Sequence, residues 1–401
     1  MRMTVPSRRR FLQLSGAAGF AAAMPRLGFA AAPTGNRLVI VILRGGLDGL
    51  HAVPPYADPE YARLRATLAV PAPGRENGAL DLDGAFGLHP ALSPLQPLYA
   101  QGELLVFPAA TTRYRQRSHF DGQNLLENGS GIPFGAKDGW LNRAIASLDQ
   151  GERRLGLALG PAVPLLLQGP APVATWAESP LPKTDEDFLK RVAYTYRDDP
   201  LFARTLAEAQ GSMSAAMDGG MDRGMNGGAG RGRELLSAAT AAAGLLARDD
   251  GPRVAVIESQ GWDTHFGQNW RLANLLGQLS AGLVALKDGL GAHWRNTAVM
   301  VVSEFGRTAA ENGSNGTDHG VGGLALLLGG AVKGGRVVGA WPGLGQAALH
   351  EGRDLRPTTD YESLFKAALI ERLGVAPAVI EEKVFPDSRA SAPARDLFRA
   401  G

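Results

Sequence analysis

The feature that most constrains this chain is a set of short apolar runs separated by longer helical stretches. Residues 38–43, 104–107, 254–257, 298–302 and 324–328 carry almost no polar side chain, and most are rich in β-branched residues. Runs of that length and composition read as strands buried on both faces, which is how strands of a parallel sheet read. Between them, residues 119–127 follow a serine, 234–247 are rich in Ala and Leu, and 270–290 are amphipathic. Residues 361–373 follow Thr359-Asp360, which offers an N-cap. Strands alternating with helices predict a three-layer α/β/α fold with a mostly parallel central sheet.

The residues just after each strand are more telling. Run 38–43 leads into Arg44-Gly45-Gly46-Leu47-Asp48-Gly49, and run 254–257 into a segment containing Trp262-Asp263-Thr264-His265. Run 298–302 leads into Ser303-Glu304-Phe305-Gly306-Arg307-Thr308, while Thr317-Asp318-His319-Gly320 precedes run 324–328. Ligands of open α/β sheets bind where loops converge at the carboxyl ends of strands. Acidic and imidazole groups delivered to one rim by several strand ends therefore predict a site there.

The amino-terminal end has an export character. Ser7-Arg8-Arg9-Arg10-Phe11-Leu12-Gln13 is a twin-arginine signature, followed by an apolar run at 14–24 broken by Gly16 and Gly19. That run is too short to span a bilayer, which needs about 20 apolar residues, so no stable membrane anchor is expected. Small residues at Gly28 and Ala30 place signal cleavage near Ala30, within a few positions. The expectation is a periplasmic or secreted protein, with the twin-arginine export machinery as a partner. Residues 31–401 would form a single domain, interrupted by a flexible Gly- and Met-rich insertion at about 211–233. Met213, Met217, Met221 and Met225 within it would also suit a soft metal such as copper, though a surface insertion is the simpler reading.

Removing residues 1–30, which hold five arginines and no acid, turns a formal charge of +2 into −3. No basic face or stripe argues for nucleic acid. With no cysteine, disulfides, thiolate nucleophiles and Cys-ligated metals are excluded, and any metal must sit on His, Asp, Glu, Asn or hydroxyls.

Each candidate has a plain structural reading beside the chemical one. Asp48 in RGGLDGL could cap a turn. Asp263 and His265, two apart on an extended loop, share a face and could reach one cation, or could be a cap beside a surface histidine. Glu304 after a wholly apolar strand needs a partner, either a metal or Arg307. Asp318 and His319 sit among glycines that let backbone crowd a ligand. Ser118 is placed to cap the helix that follows, with Asp121 three residues on. The same position, flanked by Arg115 and Arg117, would suit a nucleophile, because a helix N-terminus favours an alkoxide and an incoming anion. His51 and His89 read as core or loop histidines.

Taken together, RGGLDGL, RSHFDGQ, WDTH, SEFGRT, DHG and RPTTDYESLF, in that order over the whole mature chain, resemble the proteins grouped as domain of unknown function 1501. That group looks like a branch of the alkaline phosphatase and sulfatase superfamily, which implies an alkaline-phosphatase-like fold with metals at the strand ends. The resemblance implies Asp48, Asp263, His265, Glu304, Asp318 and His319 as metal ligands, Ser118 as nucleophile and Arg307 as a bidentate clamp on an oxyanion. It implies one or two divalent ions as cofactor, zinc ahead of manganese or calcium because imidazoles contribute. Two departures bear on the second ion. Phe305 stands where the superfamily commonly has His or Asn, and Asp263 and His265 are closer in sequence than the usual ligand pair. The absence of cysteine and the residues after Ser118 disfavour sulfatase chemistry.

The expectation is an exported metal-dependent hydrolase of phosphate or related esters, on a small molecule or a polymer. A non-catalytic exported protein of the same fold, binding an extracellular polymer or a partner, is the alternative. A metal-free Ser/His/Asp hydrolase ranks last, because no G-x-S-x-G elbow is present.

Overall fold

The structure is a computed structural model that describes residues 35–148, 154–178, 186–200, 202, 203, 206, 234–386 and 388–399. The expected signal segment 1–30 and the expected insertion at 211–233 lie outside the described residues. Chain contacts divide the protein into two compact units. In the smaller, Met1–Gly28 with Ser179–Ser214, the described part includes one helix, Glu186–Tyr196, whose Tyr196 stacks on Phe202 at 5.1 Å.

The larger unit, Phe29–Glu178 with Ala215–Gly401, is built on one sheet. Its strands are β1 (Arg37–Leu43), β4 (Leu104–Thr111), β5 (Gly156–Leu159), β6 (Val173–Trp176), β7 (Val254–Ser259), β8 (Thr297–Ser303), β9 (Gly323–Leu328), β10 (Arg336–Val337) and β11 (Thr359–Asp360). A separate hairpin pairs β2 (Leu80–Asp81) with β3 (Gly87–Leu88). The order across the sheet is β10-β4-β9-β8-β1-β7-β5-β6, with β11 beside β4. Every neighbouring pair is parallel except β4–β9 and β8–β9, so β9 runs against the rest. The carboxyl ends of β1, β4, β7 and β8 therefore share a rim with the amino end of β9.

Strand alternation sends side chains into two cores. Val39, Val41 and Leu43 of β1 enter one, and Leu38, Ile40 and Ile42 enter the other. The first core is closed by helices Glu234–Leu246 and Gln268–Leu290. In the latter, Leu272, Leu276, Leu279, Leu283, Leu286 and Leu290 recur every three or four residues, which is one helix face. Its partner presents alanines, and the two approach closely: a Cβ on Gly289 would lie 2.6 Å from Ala243 Cβ. The second core is closed by helices His119–Asn128, Trp140–Ala146 and Tyr361–Leu373. Ser118 and Asp360 cap two of these, and Gly129 and Gly374, both left-handed, end them. This is the three-layer α/β/α architecture with a mostly parallel sheet.

Candidate metal centre at the strand ends

Three imidazoles meet one carboxylate at the rim. His265 Nε2 lies 3.0 Å from Asp263 Oδ1, His319 Nε2 3.3 Å and His119 Nε2 3.6 Å from that same oxygen. His265 Nε2 and His319 Nε2 are 3.0 Å apart. A tetrahedral cation with bonds of about 2.0–2.1 Å to N and O sets its donors roughly 3.3–3.4 Å apart. The spacings to Asp263 and that between His265 and His319 bracket that value.

The other face of each ring is fixed. His119 Nδ1 lies 2.8 Å from Glu304 Oε1, His265 Nδ1 3.1 Å from Asp318 Oδ1, and His319 Nδ1 3.0 Å from Arg117 O. All three acceptors demand a proton on Nδ1, which leaves the Nε2 lone pairs facing one another across Asp263. This tautomer pattern is what ligating histidines adopt. His119 Nε2 is buried with no hydrogen-bond partner, a cost that a cation would remove. The donor set, oxygen and neutral nitrogen without sulfur, suits a borderline divalent ion. Among the described residues, His119, Asp263 and His319 form the group whose ligand atoms all lie within 4.8 Å of one another; His265 is close to Asp263 and His319 but stands outside that group.

The loops deliver these groups for identifiable reasons. Gly45 and Gly46 after β1 have φ of 124° and 71°, and a Cβ on Gly45 would stand 2.5 Å from Asp263 N. Only glycine lets the two strand-end loops touch there. The segment after β8 bridges back on itself, pairing Arg307 with His319 across Gly306 and Gly320. Phe305, buried, places its ring 4.9 Å from the His119 ring and 5.2 Å from that of His319. It walls the cluster on the apolar side.

Charge settles around the cluster accordingly. Burial would raise the Glu304 pKa, but hydrogen bonds from His119, Gln123 and Gly45 N bring it below the usual carboxylate range. Burial likewise opposes ionisation of Asp263, and the Arg307 guanidinium outweighs it, so that pKa is lowered. Burial, with the charges of His119 and Arg307, lowers His319, keeping its ring neutral.

Of the residues expected from sequence, Asp263, His265 and His319 converge as donors. Glu304 and Asp318, expected as ligands, instead stand behind His119 and His265, their oxygens accepting from those rings. Asp48 is also corrected: it is fully buried in an ion pair with Arg65 at 2.6 Å, and its Oδ2 accepts from Gln268 Nε2 at 2.7 Å. Arg307, expected as an oxyanion clamp, donates to Gly45 O, Gly46 O, Trp262 O, Thr317 O and Asp263, and its Nη1 also lies 3.5 Å from His265 Nε2. With its side chain fully buried, it has no donor left for a ligand and serves to tie three loops together. Ser118 Oγ accepts from Asp121 N at 3.5 Å as the helix cap. His51 and His89 stack on each other at 5.0 Å. His119 was missed as a donor, although it stands in the RSHFDGQ motif directly after Ser118 and past the end of β4. Gln123, four residues on, was missed with it.

The family described as "Protein of unknown function (DUF1501)" matches residues 109–384. No curated protein matches the chain. Solved structures match distantly. The lipoteichoic acid synthase LtaP from Listeria monocytogenes is 11% identical over 74% of this chain and 65% of its own, with a TM-score of 0.34. The phosphonate monoester hydrolase of Agrobacterium radiobacter is 12% identical over 85% and 74%, with a TM-score of 0.34. The TAB5 alkaline phosphatase mutant is 12% identical over 75% and 92%, with a TM-score of 0.31. This chain thus spans 65% of the length of the synthase, and likenesses of this size carry no argument about activity.

Proposed function

We propose that this chain, which belongs to the family described as Protein of unknown function (DUF1501), is an exported hydrolase of phosphate or related esters that depends on one divalent cation, zinc first among them. The observation that carries the reading is the convergence of His119, His265 and His319 Nε2 on Asp263 Oδ1, with every Nδ1 already engaged. His119, Asp263 and His319 would hold the ion, with His265 beside Asp263 and His319. Bound there, it would supply Lewis-acid polarisation of an ester oxygen.

The chain's own groups divide the remaining work. Glu304, Asp318 and Arg117 O orient the rings, Arg307 holds Asp263 ionised, and Phe305 keeps water off the buried side. Ser118, at the amino end of helix His119–Asn128, is the candidate nucleophile, because the helix dipole favours an anionic ester beside it. Metal analysis of purified protein and turnover of aryl phosphate and phosphonate esters test the proposal. About one equivalent of bound zinc and turnover lost in His319→Ala are expected. Protein that is metal-free and takes up no zinc, manganese or calcium on titration sinks it.

A second reading, a non-catalytic exported protein that binds an extracellular polymer or partner through this rim, draws support from Arg307. With all its donors turned inward, the rim lacks the charged clamp a phosphoryl-transfer site commonly uses. Ester turnover by the zinc-loaded protein separates the two. Export through the twin-arginine route is tested by fractionation: Arg8→Lys with Arg9→Lys should leave the protein in the cytoplasm. None of the described helices is long and apolar enough to cross a membrane.

A further inference from the structure

A cleft of about 180 Å³ opens beside the carboxyl end of β4, lined by Thr111, Arg113, Arg115, Thr359 and Asp360 among others. At about 10–15 Å³ for one water-sized sphere, that volume holds roughly a dozen, enough for a small polyatomic group. Its charges are unevenly spent. Arg113 pairs with Asp360 at 3.3 Å and Glu362 at 3.0 Å, and Asp360 Oδ1 accepts from Glu362 N at 3.0 Å. Both Asp360 oxygens are thereby taken. Arg115 is different. Its Nη1 donates to Thr112 O at 2.7 Å and Tyr114 O at 2.8 Å, yet no carboxylate among the described residues forms an ion pair with it.

The wall carries a second unmet demand. Thr111 is 1% exposed, and its Oγ1 is buried without a hydrogen-bond partner. Neither demand belongs to the imidazole cluster. A half-buried guanidinium whose counter-charge, Asp360, stands outside ion-pair distance and a buried hydroxyl lacking a partner are each costly unless something supplies acceptors. One ligand class answers both: an oxyanion that takes charge-assisted bonds from the Arg115 fork and a hydrogen bond from Thr111.

We propose that the cleft between β4 and β11 is a binding site for a tetrahedral oxyanion group, phosphate or sulfate, with Arg115 and Thr111 as its donors. The site is separate from the imidazole cluster and stands whether or not the hydrolase reading does.

Calorimetric titration of the purified protein with inorganic phosphate, sulfate and glycerol phosphate tests this. One site is expected, with affinity falling at least tenfold in Arg115→Gln and by a smaller factor in Thr111→Val. It should persist in His319→Ala, which dismantles the other cluster. If Arg115→Gln fails to fold, Thr111→Val alone carries the comparison. Tighter binding of glycerol phosphate than of inorganic phosphate would assign the cleft to an ester, and the reverse to the free anion. No binding of any of the three, binding unchanged in both cleft variants, or binding abolished by His319→Ala would each overturn the proposal. The last would place the anion at the imidazole cluster.

Discussion

His119 Nδ1 donates to Glu304 Oε1 across 2.8 Å, so a carboxylate at the end of one strand aims an imidazole carried by the helix after another. Glu304 is fully buried, and the same oxygen also accepts from Gly45 N at 2.8 Å and Gln123 Nε2 at 3.0 Å. It is a junction for three elements before it is anything chemical.

Glu304→Gln keeps the volume but replaces an acceptor by a donor facing His119 or Gln123. Removing such an outer partner typically costs 10- to 100-fold in cation affinity. Zinc titration of Glu304→Gln should show a loss in that range, with the fold retained by circular dichroism. Unchanged affinity would mean that Glu304 does not orient His119.

The ion pair of Asp48 with Arg65 is a separate matter of stability. Both side chains are fully buried, and Arg65 also donates to Ala309 O and Thr308 O. Removing one partner strands the other, which costs about 3–5 kcal/mol. Arg65→Met should therefore lower the urea midpoint sharply. Adding Asp48→Asn should recover part of the loss, since the stranded charge is then gone. A double variant no better than the single would show that the carboxylate charge is not the cause.

How much of this was legible beforehand depends on what each feature needs. The five apolar runs and four helices could be found because burial on two faces and helical periodicity are local properties. The short strands Gly156–Leu159 and Val173–Trp176 were missed, since four residues near the sheet edge carry little pattern. The reversed direction of β9 was also hidden, because orientation follows from connection geometry. Asp263, His265 and His319 can be singled out through their place next to strand ends. Asp48 and Arg307 misled for a common reason. Sequence shows that a charged residue sits at a strand end, but not which buried partner, Arg65 or a ring of carbonyls, has already claimed it. Nothing local marks His119, since it stands inside a helix start where the preceding serine is the residue with a capping signature.

Acid should destabilise the fold through two histidines outside the cluster. Burial, against the opposing charge of Asp48, depresses the His51 pKa to about 3, and burial depresses His89 to about 4. His89 Nδ1 also accepts from Ala91 N at 3.0 Å, a bond that protonation ends. The folded values lie below the ordinary 6.5, so the unfolded chain binds protons the native state refuses. Stability is full above pH 6.5 and falls as pH drops from there toward 4 and then 3. The slope approaches about 1.4 kcal/mol per pH unit for each histidine. His89→Asn, which can still cap, should flatten the fall in unfolding free energy between pH 7 and 5. A slope equal to that of the unchanged protein would exclude His89 as a source.

Gly45 offers a test of the loop contact. With φ at 124° and a Cβ position 2.5 Å from Asp263 N, Gly45→Ala must displace one of two strand-end loops. The strained backbone costs on the order of 1–3 kcal/mol, and Asp263 moves with it. Both the melting temperature and zinc affinity should fall. Loss of stability with zinc affinity intact would mean that Asp263 is held by Arg307 alone.

Ser118 can be separated into its two roles. As a cap accepting Asp121 N, its loss in Ser118→Ala should cost about 1 kcal/mol. Ser118→Asp restores a capping oxygen of comparable quality but leaves no hydroxyl to attack an ester. If Ser118 is the nucleophile, both variants lose ester turnover by several orders of magnitude, while only the alanine variant loses stability. If Ser118 is a cap and nothing more, Ser118→Asp turns over substrate like the parent and Ser118→Ala falls short by no more than its stability loss explains. Steady-state turnover on an aryl ester, measured beside urea unfolding of the same preparations, distinguishes these outcomes without needing the natural substrate.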